Sequence, residues 1–325
     1  MPEMNARTRE RVRKLHASMG SSNEGEAKNA RAKLTELLRK HGKTWNDLPE
    51  LLQPGQAGSS TNRDPRDDEP VAPNADIHAL DVIHHLLQQY VELQPHEYVA
   101  VSLWALHAYV YDQFMVTPRL ALTSPVRGCG KTVLLDVLRC LVPRAHKTDS
   151  ITPAAIYHLI DRDRSTLLVD EGDNLGLVFN STLRAVLNSG HRKGGRTTRF
   201  VGGDARPFST YAPMAIAAIG MLPLPIMHRS IVIHMKRAPP TRPLRHFEEN
   251  DLEDLNISYT MNRRWARDAK LNHDPELPKV LRNRAADNWR PLIAIADTFG
   301  PAWAERARGR PQLRSRKATT TKTSG

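Results

Sequence analysis

The stretch RLALTSPVRGCGKTVLLDVL, Arg119 to Leu138, places an apolar run, a turn with two glycines and an amphipathic run in direct succession. The first reads as a buried strand and the last as a helix. A strand that feeds a helix through so short a turn must return to a second, parallel strand if both are to bury their apolar faces. The pattern recurs downstream. AHKTD, STLLVD, PMAIAAIG and SIVIHMK read as further strands, and KTVLLDVLRCLV, PAAIYHLIDR and STLRAVLNS read as the helices that separate the first four strands. Thr152 before Pro153 is a helix start. The chain is therefore expected to be α/β, with a central, mostly parallel sheet.

The turn itself carries chemistry. A loop that cradles phosphate must turn backbone N–H groups inward, and glycine is needed where a side chain would block the approach. Gly128 and Gly130 meet that need, and Lys131 and Thr132 follow at once. Val126, Arg127, Gly128, Cys129, Gly130, Lys131, Thr132 and Val133 are the expected nucleotide contacts, with the following helix offering its N-terminus. Lys131 would reach the β- and γ-phosphates, and the Thr132 hydroxyl would hold Mg²⁺. Pro125 stands where such a loop usually opens with glycine; proline also makes a turn there.

A second element supports the first. STLLVDEGD is an apolar strand that ends in Asp170-Glu171. On a strand next to the loop strand, Asp170 would hold the metal through water and Glu171 would orient the attacking water. ATP and Mg²⁺ are the expected cofactors, with Lys131 and Glu171 as catalytic residues. From Lys131 to Asp170 there is room for a helix, a short strand and another helix, as in ring-forming ATPases. Such enzymes often take an arginine from a neighbouring subunit. Arg229, just ahead of SIVIH, is the candidate, and Arg284 is the candidate for a second, in-chain contact.

One insertion breaks the alternation. TTRFVGGDARPFSTY reads as a β-hairpin turning at Gly202-Gly203, preceded by the cationic GHRKGGR. Arg192, Lys193, Arg196, Arg199 and Arg206 are the expected nucleic-acid contacts, a sequence-tolerant phosphate grip. Composition agrees: 47 Lys and Arg against 35 Asp and Glu give a formal charge of +12, which suits a polyanionic partner.

The remaining chain divides by composition. Residues 1–52 read as a basic helical hairpin, with Arg7, Arg9, Arg11, Arg13 and Lys14 on its first helix and Leu34, Leu37 and Leu38 on one face of its second. Residues 53–75 are Pro, Gly, Ser and Asp, a flexible linker. Residues 76–309 form the main domain: a helical lead-in over 76–116, an α/β core over 117–238 and a helical part over 239–309. In the lead-in, Ile77, Leu80, Ile83, Leu87 and Tyr90 lie at helical spacing, and the next helix is apolar nearly all round, so it should be buried. His78, His84, His85 and His107 lie here without the Cys or carboxylate spacing of a metal site. Residues 310–325 are a basic tail, expected to be disordered. The apolar run Tyr211 to Met227 is interrupted by three prolines and a glycine, so it reads as a buried strand rather than a membrane span. Two cysteines, Cys129 and Cys140, and no apolar leader suit a reducing cytoplasm.

LALTSPVRGCGKTVLLDVLRCLVPR, STLLVDEGDN, LRAVLNSGHRKGG, HRSIVI and RAADNWRPLIAIAD, taken in order, resemble a P-loop ATPase domain of phages and mobile elements, often found in helicase- or primase-like proteins. The segment SSNEGEAKNARAKLTELLRKHG separately resembles a small uncharacterised helical domain of bacterial and phage proteins. The core also resembles superfamily 3 helicases and AAA-type ATPases. That resemblance implies a P-loop NTPase fold, a homo-oligomeric ring such as a hexamer, ATP-driven movement on single-stranded DNA, and a hairpin that grips the strand in a central pore. A separate primase would be a partner. Relatives carry a polar sensor residue at the tip of the strand that here reads MAIAAIG, where this chain has Gly220 and Met221. Two readings stand: a DNA-dependent ATPase acting as helicase or loader, and a nucleotide-switched module that binds DNA or a partner without translocation. A small-molecule kinase is disfavoured by Asp170-Glu171 and the basic hairpin.

Overall fold

A computed structural model describes residues 8, 12, 15, 24–41, 43, 66, 78–173, 180–201, 204–248 and 251–309. The chain divides into two compact units, Met1–Thr61 and Asn62–Gly325. The division falls inside the segment that composition marks as a linker. In the first unit, helix α1 spans Glu24–Lys40. Leu34 and Leu38, one turn apart, bury with Val12 in a small apolar cluster flanked by Leu15 and Leu37. The arginines of the first expected helix lie outside the described residues, as do the tail and Ile77.

The second unit begins its regular structure with α2 (Ala79–Tyr90) and α3 (Pro95–Val110). Helix α3 opens with a capping box: the Gln94 side chain accepts from the backbone N–H of Glu97, the third helical residue, and the Glu97 carboxylate accepts from Gln94 N at 2.9 Å. Nearly every α3 side chain is buried, as its all-round apolar sequence requires. After a 3₁₀ turn at Tyr111–Gln113 the alternation starts: β1 (Arg119–Ser124), α4 (Lys131–Leu141), β2 (Ala145–Thr148), α5 (Pro153–Asp163), β3 (Thr166–Val169), α6 (Ser181–Ser189), the hairpin β4 (Arg196–Val201) and β5 (Asp204–Ser209), β6 (Met214–Ile219), the short α7 (Leu224–Met227) and β7 (Ser230–His234). Three helices close the chain: α8 (Leu252–Asp268), α9 (Arg284–Asp297) and α10 (Pro301–Arg308). Thr152 caps α5 through Ala155 N at 3.2 Å, and Asn180 caps α6 through Leu183 N at 2.9 Å.

The five strands other than the hairpin form one parallel sheet in the order β2-β3-β6-β1-β7. The fold is α/β. Side chains alternate between two cores, as the strand period of two requires. Leu120, Leu122, Leu168, Ala215, Ala217, Ile231 and Ile233 face a large cluster with α2, α3, α4, α8, α9 and α10. Ala121, Leu167, Val169, Met214, Ile216 and Ala218 face a second cluster with α5, α6 and α7. Asp170 was expected to follow a strand next to β1, but in the fold β6 lies between them. The chain leaves β3, forms α6 and the hairpin, and only then inserts β6 into the gap.

Two junctions hold the N-terminal edge of the sheet. Arg119 is buried, and its guanidinium donates to Ala212 O and to Leu187 O at 2.9 Å. Burial draws its pKa down to about 10, so it keeps its charge at neutral pH. Gly190 ends α6 against it: a Cβ there would sit 2.0 Å from Thr210 O and 2.6 Å from the Arg119 guanidinium. From the expected linker, Arg66 donates to Cys140 O at 2.7 Å and Val142 O at 3.2 Å, and its guanidinium lies 3.8 Å over the Tyr259 ring. It thereby satisfies carbonyls at the end of α4. No helix among the described residues is long and apolar enough to cross a membrane.

Two buried histidines couple stability to pH. His107 hydrogen-bonds Thr117 Oγ1 at 3.1 Å, and burial lowers its pKa from 6.5 to about 3. His191 hydrogen-bonds Asn288 Oδ1 at 2.8 Å and is lowered to about 4, mainly by burial. Both folded values lie below the unfolded one. Their contribution is therefore complete above pH 6.5 and lost as pH falls toward the folded values. Each should cost about 2 kcal/mol at pH 5. Urea denaturation at pH 7.5 and pH 5 checks this. His107→Gln and His191→Gln together should flatten the slope, whatever they do to stability at pH 7.5.

Candidate functional site

The loop between β1 and α4 is built by two residues in left-handed backbone conformation, Gly128 at φ 73° and Gly130 at φ 81°. A Cβ at either position would meet only ordinary van der Waals neighbours. Conformation, not space, demands glycine here. Pro125, Val126, Arg127 and Gly128 are exposed, while Cys129 is buried and donates its thiol toward Val126 O at 3.4 Å. Lys131 opens α4, and its Nζ donates to Ser124 Oγ at 2.5 Å; that hydroxyl in turn donates to Val126 O at 2.7 Å. The lysine is thus folded back over the loop from strand end to helix start. Thr132 is exposed on the first turn of α4.

The other half of the site sits at the same, C-terminal edge of the sheet. Asp170 follows β3, is buried, and accepts from Glu171 N at 2.9 Å. Glu171 is exposed at φ 49°. Gly172 N donates to Ala217 O at 2.6 Å, which brings the turn against β6. Asp173 Oδ1 accepts from Ile219 N at 3.0 Å, and Gly220 N donates to Ser124 O at 2.9 Å. β3 and β1 each pair with β6, so Asp170 and the loop strand stand two strand spacings apart, roughly 10 Å. A hydrated cation with its ligands spans such a gap. Turned backbone, a lysine, a hydroxyl and two carboxylates make a donor set that fits a nucleotide phosphate with Mg²⁺; Thr132 and Asp170 are the residues that could hold the metal.

Residues the sequence did not single out also belong here. Asp173 sits beside the tip of β6, next to Gly220, at the place where the sequence alone offers no polar side chain. The DEGD spacing is the only signal that could have raised it. Arg237, three residues beyond β7, places its guanidinium 3.6 Å from where a Gly128 Cβ would be and donates to Arg127 O. Nothing in the run HMKR distinguishes it before folding.

The arginines divide by edge. Arg229 precedes β7, and its carbonyl accepts from Arg119 N at 2.9 Å. It therefore lies at the N-terminal edge of the sheet, the full length of β1 away from the loop. Arg284 starts α9. One turn on, Asn288 bonds His191 and donates to His228 O at 3.2 Å, which sets this end of α9 beside Arg229. Burial and the nearby Arg284 lower the Arg229 pKa. An in-chain contact from Arg284 to a ligand on the loop, as expected from the sequence, is out of reach. Arg284 lies near Arg229 at the opposite edge, where the two like charges act on each other.

The hairpin forms as expected, with Arg196 opposite Ser209 and Val201 opposite Asp204; Gly202 and Gly203 lie outside the described residues. Its two faces differ. Arg199 and Arg206 are cross-strand partners on the face toward α5, where Phe208 buries against Tyr157. Arg206 lies 3.6 Å from Asp161, and Arg199 reaches over the Tyr157 ring at 5.7 Å. The opposite face presents Arg196, Thr198 and Phe200, all exposed, with Phe200 81% accessible. Arg192 is exposed, and Lys193 Nζ donates to Asp112 O at 2.7 Å. The expected cationic grip is therefore split, and an exposed aromatic joins its open half.

Comparison with known families gives one match, over residues 234–324, to a family described as protein of unknown function, DUF3631. The match starts at the last residue of β7 and takes in Arg237 and the closing helices; the sheet and its loop precede it. No curated protein matches the chain.

The turn after β3 is tightly fitted. A Cβ on Gly172 would lie 2.6 Å from Ile216 Cγ2 and 3.0 Å from Ala217 O. Gly172→Ala should destabilise the fold by about 1–3 kcal/mol, read as a lowered urea midpoint. Gly194→Ala, at φ 85° with open space around it, should cost only backbone strain, about 1–2 kcal/mol.

Proposed function

We propose that the chain is an ATP-binding and ATP-hydrolysing P-loop ATPase that acts on DNA as a helicase-like or loader protein. The observation that carries this reading is the convergence of the glycine loop, Lys131 and the Asp170-Glu171 turn at one edge of a parallel sheet. Ligands of open α/β sheets bind outside the carboxyl ends of the strands, and this edge is that one.

In this reading the loop N–H groups and Lys131 hold the phosphate chain. Thr132 and Asp170 hold Mg²⁺, which when bound neutralises charge on the phosphates. Glu171 orients water, and Asp173, anchored on Ile219 N, substitutes for the polar sensor. Arg229 and Arg284 cannot reach their own loop. Their placement fits delivery to the loop of a neighbouring copy, and so a homo-oligomer. The open face of the hairpin meets single-stranded DNA, with Arg196 on phosphate and Phe200 stacked on a base.

A second reading, a nucleotide-switched binding module without translocation, is favoured by one observation: β6 carries no polar side chain at its own tip. ATP hydrolysis with and without single-stranded DNA decides between them. DNA-stimulated turnover is the expected result; binding without turnover in either condition supports the switch. Lys131→Ala should abolish nucleotide binding or turnover. Glu171→Gln should bind ATP and lose at least a hundredfold in turnover; normal turnover removes Glu171 from the mechanism. Mixed with Lys131→Ala subunits, an Arg229→Ala subunit should recover activity once mixing is verified.

The hairpin faces make a separate expectation. Phe200→Ala should weaken single-stranded DNA binding roughly tenfold. Arg196→Ala should lower the salt slope by about 0.7, and Arg206→Ala should change it less, because Asp161 already faces that charge. Fluorescence anisotropy across a salt series reads all three.

A further inference from the structure

Arg284 stands at the far edge of the sheet, and another in-chain arginine lies on the loop. β7 runs parallel beside β1, and the pairing continues past its end: Met235 N donates to Thr123 O at 2.8 Å. The segment then turns over the loop. Met235 is buried, with its Cε 3.7 Å from where a Gly130 Cβ would stand. Two residues later Arg237 lies against Gly128. Its Nε and Nη2 donate to a single acceptor, Arg127 O, at 3.3 and 3.2 Å. These are long bonds to a neutral, exposed carbonyl. Among the described residues no carboxylate pairs with Arg237, and Nη1 takes no hydrogen bond. A planar cation is therefore positioned on the loop by β7 and fastened weakly.

We propose that Arg237 is a phosphate-binding residue of this site, contacting the phosphate chain of a nucleotide held on the loop. The inference rests on the ATPase reading. A guanidinium exchanges two weak bonds to one carbonyl for charge-assisted, bidentate bonds to phosphate oxygens at little cost in displacement.

The test uses the full-length protein with Mg²⁺, a fluorescent ATP analogue, and inorganic tripolyphosphate as competitor. Arg237→Ala should weaken both ligands about tenfold, and Arg237→Lys should recover part of the loss. Arg237→Gln keeps a donor for Arg127 O, so a loss there with an unchanged melting curve belongs to the charge and not to loop structure. Wild-type affinity in the Ala and Gln variants overturns the proposal. So does weakened ATP binding with tripolyphosphate unaffected, which would place the guanidinium on the base. If the wild-type protein binds neither ligand, the ATPase reading fails and this inference with it; wild-type binding with unaffected variants removes Arg237 alone.

Discussion

Everything at the candidate site depends on β6 lying between β3 and β1. Its backbone pairs on both sides, and that fixes the separation of the Asp170 turn from the glycine loop. Its sequence, MAIAAI, suits the position. Ala215 and Ala217 give α4 a flat surface on one face of the sheet, while Met214, Ile216 and Ala218 fill the other core. Small side chains let the helix that starts at Lys131 lie close to the sheet, so its first turn stays near the strand ends. β6 also receives the acidic turn directly through Gly172 N and Asp173 Oδ1. A larger residue at 215 or 217 would push α4 outward and separate the two halves.

The two edges of the sheet carry different chemistry. The C-terminal edge gathers the loop, Lys131, Thr132, Asp170, Glu171, Asp173 and Arg237. The N-terminal edge gathers Arg119, His191, Arg229 and Arg284. Arg119 and His191 are buried there with neutral partners, backbone carbonyls and Asn288. They act as struts that hold the start of β1, the end of α6 and the first turns of α9 together. Arg229 and Arg284 stand beside these struts with their charges only partly answered.

The hairpin shows how folding sorts a linear run of cations. By sequence alone, five basic residues in this segment read as one phosphate-gripping set. In the fold, two of them face α5, one ties the preceding loop to Asp112, and the open face is shared by Arg196 and Phe200. The strand period of two decides this division. The sequence holds that period, but which face meets the body of the protein depends on Phe208 finding a place between Tyr157 and His158.

By itself the sequence determined the elements and the loop. Apolar runs, caps and glycines act over a few residues, so the strands, the helix start at Thr152, and the glycine turn between β1 and α4 are legible in the sequence. Strand order, and therefore the insertion of β6, was decided only in three dimensions, because it depends on which strand fills a gap left by others far apart in the chain. The same is true of Arg284 and Arg237. One stands at the far edge, away from the loop its sequence context suggests; the other lies on Gly128. An arginine's task is set by where its backbone is carried, and that is a property of packing between elements that no short stretch of sequence contains.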